Sequence, residues 1–326
     1  MCDRRGDRRG WRRLALCAAP WICTALAAPA CAPKALTLPE GRGDPIADAA
    51  QTHAAITQAC GGARTLTAEL SLSGRAGGQR VSGRALAGFE APGSMRLEGL
   101  APIGRPAFIL VARQGRATLL LPRDDRVLRD EAAEDILGAL TGVALAPADL
   151  QAVLTGCVVP GARAVGGWQQ GSWTVIELEG GAALYARRAG TGWQVVAGRR
   201  GHWQIEYPAW RGSFPAAVRL VSRGEPAVDV TARLSQLEVN VDLDERAFTV
   251  DVPSDAAPIS IDELRESGPM RGKPSDDPGA ARAAGGSQRA HVASPPGQTR
   301  EGGARRAAGD RRTTRDRRIT IYDRPF

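Results

Sequence analysis

The side chains that could do chemistry are few and scattered in this chain of 326 residues. Histidine occurs only at His53, His202 and His291, and none belongs to a Ser-His-Asp arrangement or a nucleophile elbow. The two lysines, Lys34 and Lys273, lie outside the expected folded body, so neither a P-loop lysine nor a Schiff-base lysine is available there. We therefore expect no catalytic residue and no enzymatic activity.

An acidic group and a glycine-rich stretch are the remaining candidates for chemistry. Asp130, Glu131, Glu134 and Asp135 could suggest a divalent metal, but they occupy the first turns of a predicted helix, where carboxylates interact favourably with the helix dipole. The glycines between residues 74 and 88 lack a phosphate-binding pattern and are typical of hairpin turns. We expect neither a metal nor a cofactor.

The first thirty residues have the layout of a secretory signal peptide. Six arginines within residues 1–13 precede the apolar run 14–28, which is too short for a confident membrane span. Ala28 and Ala30 fit ordinary signal-peptidase cleavage, whereas Cys31 stands where a bacterial lipoprotein carries its lipid anchor. Both alternatives stay open, and residues 31–43 would form a linker.

Only two cysteines remain for the mature fold. Of six in the chain, three leave with the signal and a fourth is the candidate anchor Cys31. Cys60 and Cys157 most simply pair as a disulfide in an exported domain; the alternative is two buried free thiols.

Charge is concentrated at the two ends of the chain. The net charge is +8, of which residues 1–13 carry +4 (six basic, two acidic) and residues 271–326 carry +7 (thirteen basic, six acidic). The intervening part carries −3 (24 basic, 27 acidic), which argues against a basic nucleic-acid-binding domain. Residues 271–326 lack apolar periodicity until Ile319, and we predict a disordered basic tail.

Residues 44–270 alternate in a way that predicts a β-rich domain. A first helix is expected to begin with Asp44 as cap and Pro45 in the first turn, and to stop at Gly61. A helical pair is predicted over 130–141 and 146–156. Strands with a period of two are predicted over 65–73, 79–89, 94–100, 106–113, 116–122, 126–129, 172–179, 182–188, 192–197, 202–207, 217–223, 227–234, 237–243 and 248–252.

These elements predict the fold class: mainly β with a few short helices, as a large antiparallel sheet that curls upon itself. One parity of each strand would line its inner face, and Trp193 and Trp203 fall on that parity. Ordinary core packing explains such alternation more often than a ligand cavity does.

Three local strings follow one another along the predicted domain. The first is Pro102-Ile103-Gly104 after a strand, and the second is the helical pair. The third comprises Leu237, Asn240, Leu243, Phe248, Val250, Val252 and Pro253. Together they resemble the lipoprotein-localisation family (LolA/LolB type), which comprises a periplasmic lipoprotein carrier and its outer-membrane receptor. The first string is similar to the loop of the receptor branch, LolB, the second to the segment between its sheet halves, and the third to the closing strands of the carrier.

The resemblance implies an open, unclosed barrel of eleven strands, with helices over its mouth and an apolar cavity for acyl chains. Pro102, Ile103 and Gly104 would be a membrane-inserting loop, although Ile103 could instead be tucked under a hairpin. The cavity would be lined by apolar side chains of the strands and helices: Leu66, Leu70, Leu97, Phe108, Leu110, Leu119, Leu121, Ile136, Leu140, Leu150, Leu154, Trp193, Trp203, Val218 and Leu220.

The function expected from this resemblance is a non-catalytic receptor, anchored in the outer membrane and facing the periplasm. Its partners would be lipoprotein acyl chains, the periplasmic carrier and membrane lipids, with no nucleic acid, and the protein would be a monomer. A soluble periplasmic form, a carrier or sensor for another lipid, and an assembly lipoprotein with a solid core remain the alternatives.

Overall fold

The computed structural model describes residues 35–267 except 223 and 225. The expected signal peptide 1–30, the anchor Cys31 and the tail 271–326 lie outside the described residues. Leu38 is buried, and residues 39–42 line a depression on the outside of the sheet, so packed structure begins before Asp44.

Across the described part of the chain, fifteen strands belong to one sheet. Their bounds are β1 (Asp44–Pro45), β2 (Thr65–Ala76), β3 (Gln79–Glu90), β4 (Ser94–Leu100), β5 (Phe108–Arg113), β6 (Arg116–Leu121), β7 (Arg126–Ala132), β8 (Ala164–Gln170), β9 (Trp173–Leu178), β10 (Ala183–Ala189), β11 (Gly192–Arg200), β12 (Trp203–Arg211), β13 (Phe214–Ser222), β14 (Val228–Val239) and β15 (Ala257–Pro258). The described residues also form four short α-helices: α1 (Ala49–Gly61), α2 (Ala133–Thr141), α3 (Pro147–Thr155) and α4 (Ile261–Ser267).

Two meanders make up the sheet, and one long-range pairing joins them. Strands β2 to β7 pair in sequence, as do β8 to β14, and β14 then pairs antiparallel with β2. The short strands β1 and β15 lie at the two ends of the order and do not pair with each other, so the sheet curls without closing. The predicted fold class is confirmed, with fifteen strands where the resemblance implied eleven.

The core lies between one face of this sheet and the helices. Leu66 and Leu70 of β2 are buried there because successive strand residues point to opposite faces. Helix α2 adds Ile136, Leu137 and Leu140 from one side of its surface to the same cluster. The helices therefore cover the inner face of the sheet, as expected for helices over an open barrel.

The start of the first helix is a correction to the prediction. Asp44 and Pro45 form the edge strand β1 against Trp168 and Gln169, where a proline without an N–H is tolerated. The cap is Asp48, whose side chain accepts a 2.7 Å hydrogen bond from the Gln51 N–H. Two aspartates can cap here, and the edge pairing of Asp44 decides between them.

Other boundaries differ for similar reasons. Asp130 and Glu131 belong to β7, so only Glu134 and Asp135 lie in the first turn of α2. The predicted strands 237–243 and 248–252 are not separate strands: β14 runs on to Val239, and Phe248 is buried in a 3₁₀ turn. Strand β8 and helix α4 were not predicted, because β8 contains Gly166 and Gly167 and α4 is only seven residues long.

Within residues 35–267, no helix has the length and apolar character needed to cross a bilayer.

Candidate functional site

A cavity of about 680 Å³ opens at one end of the strands. Its walls come from the β2–β3 turn, the last turn of α2, the start of β12, the β13–β14 connection and α4. The lining residues are Ala76, Gly77, Gln79, Val81, Asp135, Gly138, Ala139, Leu140, Thr141, Gly142, Ala144, His202, Trp203, Ser222, Gly224, Pro226, Val228 and Arg265.

The inner wall of this pocket is apolar. Leu140 and Ala139 from α2 face it together with Trp203 from β12, and all three are buried. Gly142 ends α2 in the left-handed conformation (φ +77°), and a Cβ there would collide with the Cβ of Ala76. Glycine at this position thus lets the end of α2 approach β2 and form one side of the pocket.

The mouth of the pocket is polar and exposed. Asp135 stands in the first turn of α2, His202 in the β11–β12 turn and Arg265 on α4, where it pairs with Asp262 at 2.7 Å. The His202 ring lies 4.8 Å from that of Trp203, between centroids. In the part of the chain that the structure describes, no three acidic, histidine or cysteine side chains are grouped as a metal site would require.

The residues predicted to line an acyl-chain cavity all belong to one hydrophobic cluster. Thirteen of the fifteen are buried in it, and Leu150 and Trp193 are half-buried at its margin. Leu140 and Trp203 are the two that also line the pocket. Others, such as Leu66, Leu110 and Ile136, expose none of their surface (0%), so protein atoms surround them.

A disulfide ties two helices together beside this cluster. Cys60, in the last turn of α1, is bonded to Cys157, two residues after α3, with a Cα–Cα distance of 5.7 Å. The predicted pairing is present, and the free-thiol alternative is wrong. The buried Gln151 of α3 strengthens the connection, because its Nε2 donates to the carbonyls of Ala63 and Arg64, both at 3.2 Å.

Tyr207, on strand β12, makes a further contact with the segment that carries Cys157. Its hydroxyl donates to the Cys157 carbonyl at 3.4 Å. Burial raises the pKa of Tyr207, so the hydroxyl keeps its proton over the physiological range. Helices α1 and α3 are thus held to each other and to the start of β2, whereas α2 and α4 have no covalent link to the sheet beyond the chain itself.

The β4–β5 loop carries an exposed apolar side chain. Ile103 is 85% exposed, and Pro102 and Gly104 beside it are exposed as well. The guanidinium of Arg123 donates to the Ile103 carbonyl at 2.7 Å and to the Arg105 carbonyl at 3.2 Å. Ile103 is therefore held at the tip of a fixed loop, not tucked under a hairpin.

Pocket and loop share one end of the sheet. In a meander, connections alternate between the two ends, so the turns after β2, β4 and β6 lie at the same end. Pairing of β14 with β2 brings the turns after β9, β11 and β13 to that end too. We call it the pocket end; it holds Gly77, Ile103 and His202.

Comparison with known proteins finds similarity only at the level of solved structures. The sequence matches no protein-family model and no curated protein. The LolA superfamily protein NE2245 from Nitrosomonas europaea is 10% identical, with a TM-score of 0.43 over 63% of this chain and 99% of its own. A DUF1329 family protein from Desulfovibrio piger is 11% identical, with a TM-score of 0.43 over 63% of this chain and 98% of its own.

Similar solved structures thus include a LolA superfamily protein.

Sequence patterns had not predicted most of the pocket wall. Gly77 and Pro226 come from two hairpin turns that meet because β14 pairs with β2, and Arg265 comes from α4, which packs on α2. One usable signal was Gly142, a glycine directly after a one-sided helix, which indicates a left-handed cap.

Proposed function

We propose that this domain binds the acyl chain of a lipid or lipoprotein in the pocket beside α2 and performs no catalysis. The observation that carries the proposal is an apolar-walled pocket of about 680 Å³ at the same end of the sheet as the exposed Ile103. Small-molecule sites typically enclose about 300–1,000 Å³ and are mostly apolar with a few polar groups.

Physical chemistry accounts for why such a pocket would favour an acyl chain. Each methylene group that leaves water gains about 0.8 kcal/mol. The buried wall of Leu140, Ala139 and Trp203 offers it apolar contacts, while Asp135, His202 and Arg265 at the mouth can remain in contact with a polar head group. No covalent step is needed for such binding and release.

The finer form of the proposal is a receptor for lipoproteins. Cargo would arrive from a periplasmic carrier and leave through the pocket end, where Ile103 inserts into a bilayer. Anchoring through Cys31 would hold the receptor at the outer membrane, facing the periplasm. The exposed position of Ile103, fixed by Arg123, supports delivery to a membrane surface.

The pocket volume favours a second candidate, a carrier or sensor for another lipid. If a methylene group takes roughly the 30 Å³ of a water molecule, about 680 Å³ corresponds to roughly 20 methylene groups, or one long chain. A cargo with three chains requires a larger space, which α2 and α4 could open because no disulfide fixes them.

Native mass spectrometry of the protein made in a membrane-containing bacterial host tests these candidates. A co-purified triacylated peptide supports the receptor, and a free lipid supports the carrier. A ligand-free mass for freshly isolated protein, together with no uptake of added fatty acid, contradicts acyl-chain binding and favours an assembly protein with a solid core.

A further inference from the structure

Three successive hairpin turns at the end of the sheet opposite the pocket are flanked by tryptophan and arginine but by no acidic residue. They are the β8–β9 turn at residues 171–172, the β10–β11 turn at 190–191 and the β12–β13 turn at 212–213. The flanking stretches 168–173, 187–193 and 210–214 contain no acidic residue. We call this surface the Trp–Arg rim, after its exposed or half-buried side chains Trp173, Trp193, Trp210, Phe214, Arg187, Arg188 and Arg211.

Two of the arginines stack on tryptophan rings. The Cζ atom of Arg187 lies 3.7 Å from the centroid of the Trp173 ring, and that of Arg188 lies 3.8 Å from the Trp193 ring. Because consecutive strand residues point to opposite faces, the two pairs flank the β10–β11 hairpin on its two sides. A stacked guanidinium keeps its N–H groups in a fixed plane, which suits an anionic oxygen. The Nε atom of Arg187 is itself buried, so this arginine would bind through its terminal nitrogens.

The three arginines of the rim differ from other arginines of the domain in their ionic partners. Within the described residues, Arg187, Arg188 and Arg211 make no ion pair with an acidic side chain. At the pocket end, by contrast, Arg105 lies 3.6 Å from an oxygen of Asp125, and Arg163 pairs with Glu179 at 2.8 Å. As far as the described residues show, the rim thus carries three arginines without an acidic partner.

The rim is also amphipathic. Tryptophan and arginine side chains combine an apolar body with a polar tip, and together with the apolar ring of Phe214 they suit the boundary between a bilayer and water. The rings are already covered by arginines or, for Trp210, packed beside Tyr207 at 5.7 Å between centroids, so they are poorly placed to stack on nucleotide bases. Strands lie about 4.8 Å apart, so the three turns form a row of roughly 20 Å.

We propose that the Trp–Arg rim is a docking surface for an anionic membrane, with the arginines on lipid phosphates and the aromatic side chains at head-group depth. This surface is separate from the acyl-chain pocket and from Ile103, since it lies at the other end of the strands. A domain built this way contacts a membrane at both ends of its sheet.

Vesicle partitioning of the full chain tests the rim. The Arg187→Gln, Arg188→Gln, Arg211→Gln triple variant should bind vesicles containing phosphatidylglycerol on the order of 100-fold more weakly than the parent protein, since each basic residue near an anionic surface strengthens binding several-fold. Vesicles of phosphatidylcholine alone should not distinguish the two. Thermal unfolding checks that the triple variant is folded.

A matched control removes the same charge elsewhere. Arg129, Arg233 and Arg246 are exposed and lie away from the three turns, so their triple glutamine variant should lose only a small part of the binding. Equal losses in both triple variants, or no loss at the rim, would overturn the proposal. Retained vesicle binding with a selective loss of binding to soluble polyphosphate would also overturn it, in favour of a soluble polyanion.

Independence from the pocket end is a further check. The two surfaces lie at opposite ends of the strands and engage a vesicle separately, so each contributes its own share of the partition constant. Ile103→Glu alone should leave most of the binding to phosphatidylglycerol vesicles, whereas its combination with the rim variant should remove the binding that the rim variant retains. Loss of this binding through Ile103→Glu alone, with no loss in the rim variant, would show that only the pocket end binds, and the rim proposal would fail.

Discussion

At the scale of single residues, the side chain of Ile103 is distinctive because its exposure is fixed by specific hydrogen bonds. Among the described residues, Ile103 and Val165 are the large apolar side chains with the greatest exposure, at 85% and 65%. Val165 lies on β8, and Ile103 lies on the loop held by Arg123. The two form a matched pair for an insertion test.

Replacing Ile103 with glutamate should abolish vesicle association at the pocket end, since a carboxylate is costly to bring into apolar lipid. The measurement is co-sedimentation of a form without the lipid anchor, with zwitterionic vesicles that do not engage the arginines of the Trp–Arg rim. Val165→Glu should behave like the parent protein. Unchanged association of the Ile103 variant would show that this loop does not insert into the bilayer.

Arg219 is a buried charge that depends on its partners. Its guanidinium donates to Glu206 at 3.2 Å and to Asp229 at 2.7 Å, and the side chains of Arg219 and Glu206 are only 7% and 8% exposed. Hydrogen bonding to Asp229 is the main cause that raises the pKa of Arg219, so the charge persists at any physiological pH.

Arg219→Met should lower the free energy of unfolding by roughly 3–5 kcal/mol, because Glu206 loses its cation while buried. Urea denaturation measures this loss. The Arg219→Met, Glu206→Gln double variant should recover a large part of it, since no buried charge is then left at Glu206. A single variant as stable as the parent protein would show that the pair is solvated.

At the scale of elements, the helices divide into a fixed pair and a pair held only by packing. α1 and α3 are joined through Cys60 and Cys157, whereas α2 packs on α4 and on strands β6 and β7. The pocket lies along the second pair. Any enlargement for a bulkier ligand is therefore expected to move α2 and α4 rather than α1 and α3.

Removing the disulfide should destabilise the fold without blocking the pocket. The crosslink spans 97 residues of sequence, and such bonds typically contribute roughly 2–4 kcal/mol. The Cys60→Ser, Cys157→Ser variant should lose about that much free energy of unfolding in urea and still bind fatty acid. Loss of binding in a folded variant would place α1 and α3 in the ligand site.

The sequence predicts well those elements in which apolar residues recur with a clear period, and it predicts the other elements poorly. The strands from Thr65 to Leu121 follow the predicted pattern because apolar and polar residues alternate over many positions. Strand β8 escaped prediction because two glycines interrupt it, and the start of α1 was misplaced because Asp44 and Asp48 can both cap. Local pattern cannot choose between two acceptable caps when a distant strand decides.

At the scale of the whole molecule, the decisive feature is the pairing of β14 with β2. It places Val239 opposite Leu66, 173 positions apart in the chain, and so brings the turns of both meanders to one end. The curled sheet could be predicted from the number and spacing of strands, but this pairing could not. The pocket depends on it.

The size of the cavity could not be predicted from the sequence either. Alternating leucines predict an apolar inner face, yet only side-chain volumes and helix placement determine how much of that face is filled. Leu66, Leu110 and Ile136 are fully packed, while Leu140 and Trp203 border open space. The other thirteen predicted lining residues do not border the pocket. They could contact a ligand only if the pocket opened further.

Acyl-chain binding in the pocket is tested most directly by titrating the full chain with a fluorescent long-chain fatty acid. Ala144 lines the pocket and is exposed, so Ala144→Trp should fill it without disturbing the core, and Ala55→Trp on the exposed side of α1 is its control. We expect saturable one-to-one binding that Ala144→Trp weakens at least about tenfold, or 1.4 kcal/mol, while Ala55→Trp leaves it unchanged. Equal affinity in all three proteins, or no saturable binding in any, would contradict it.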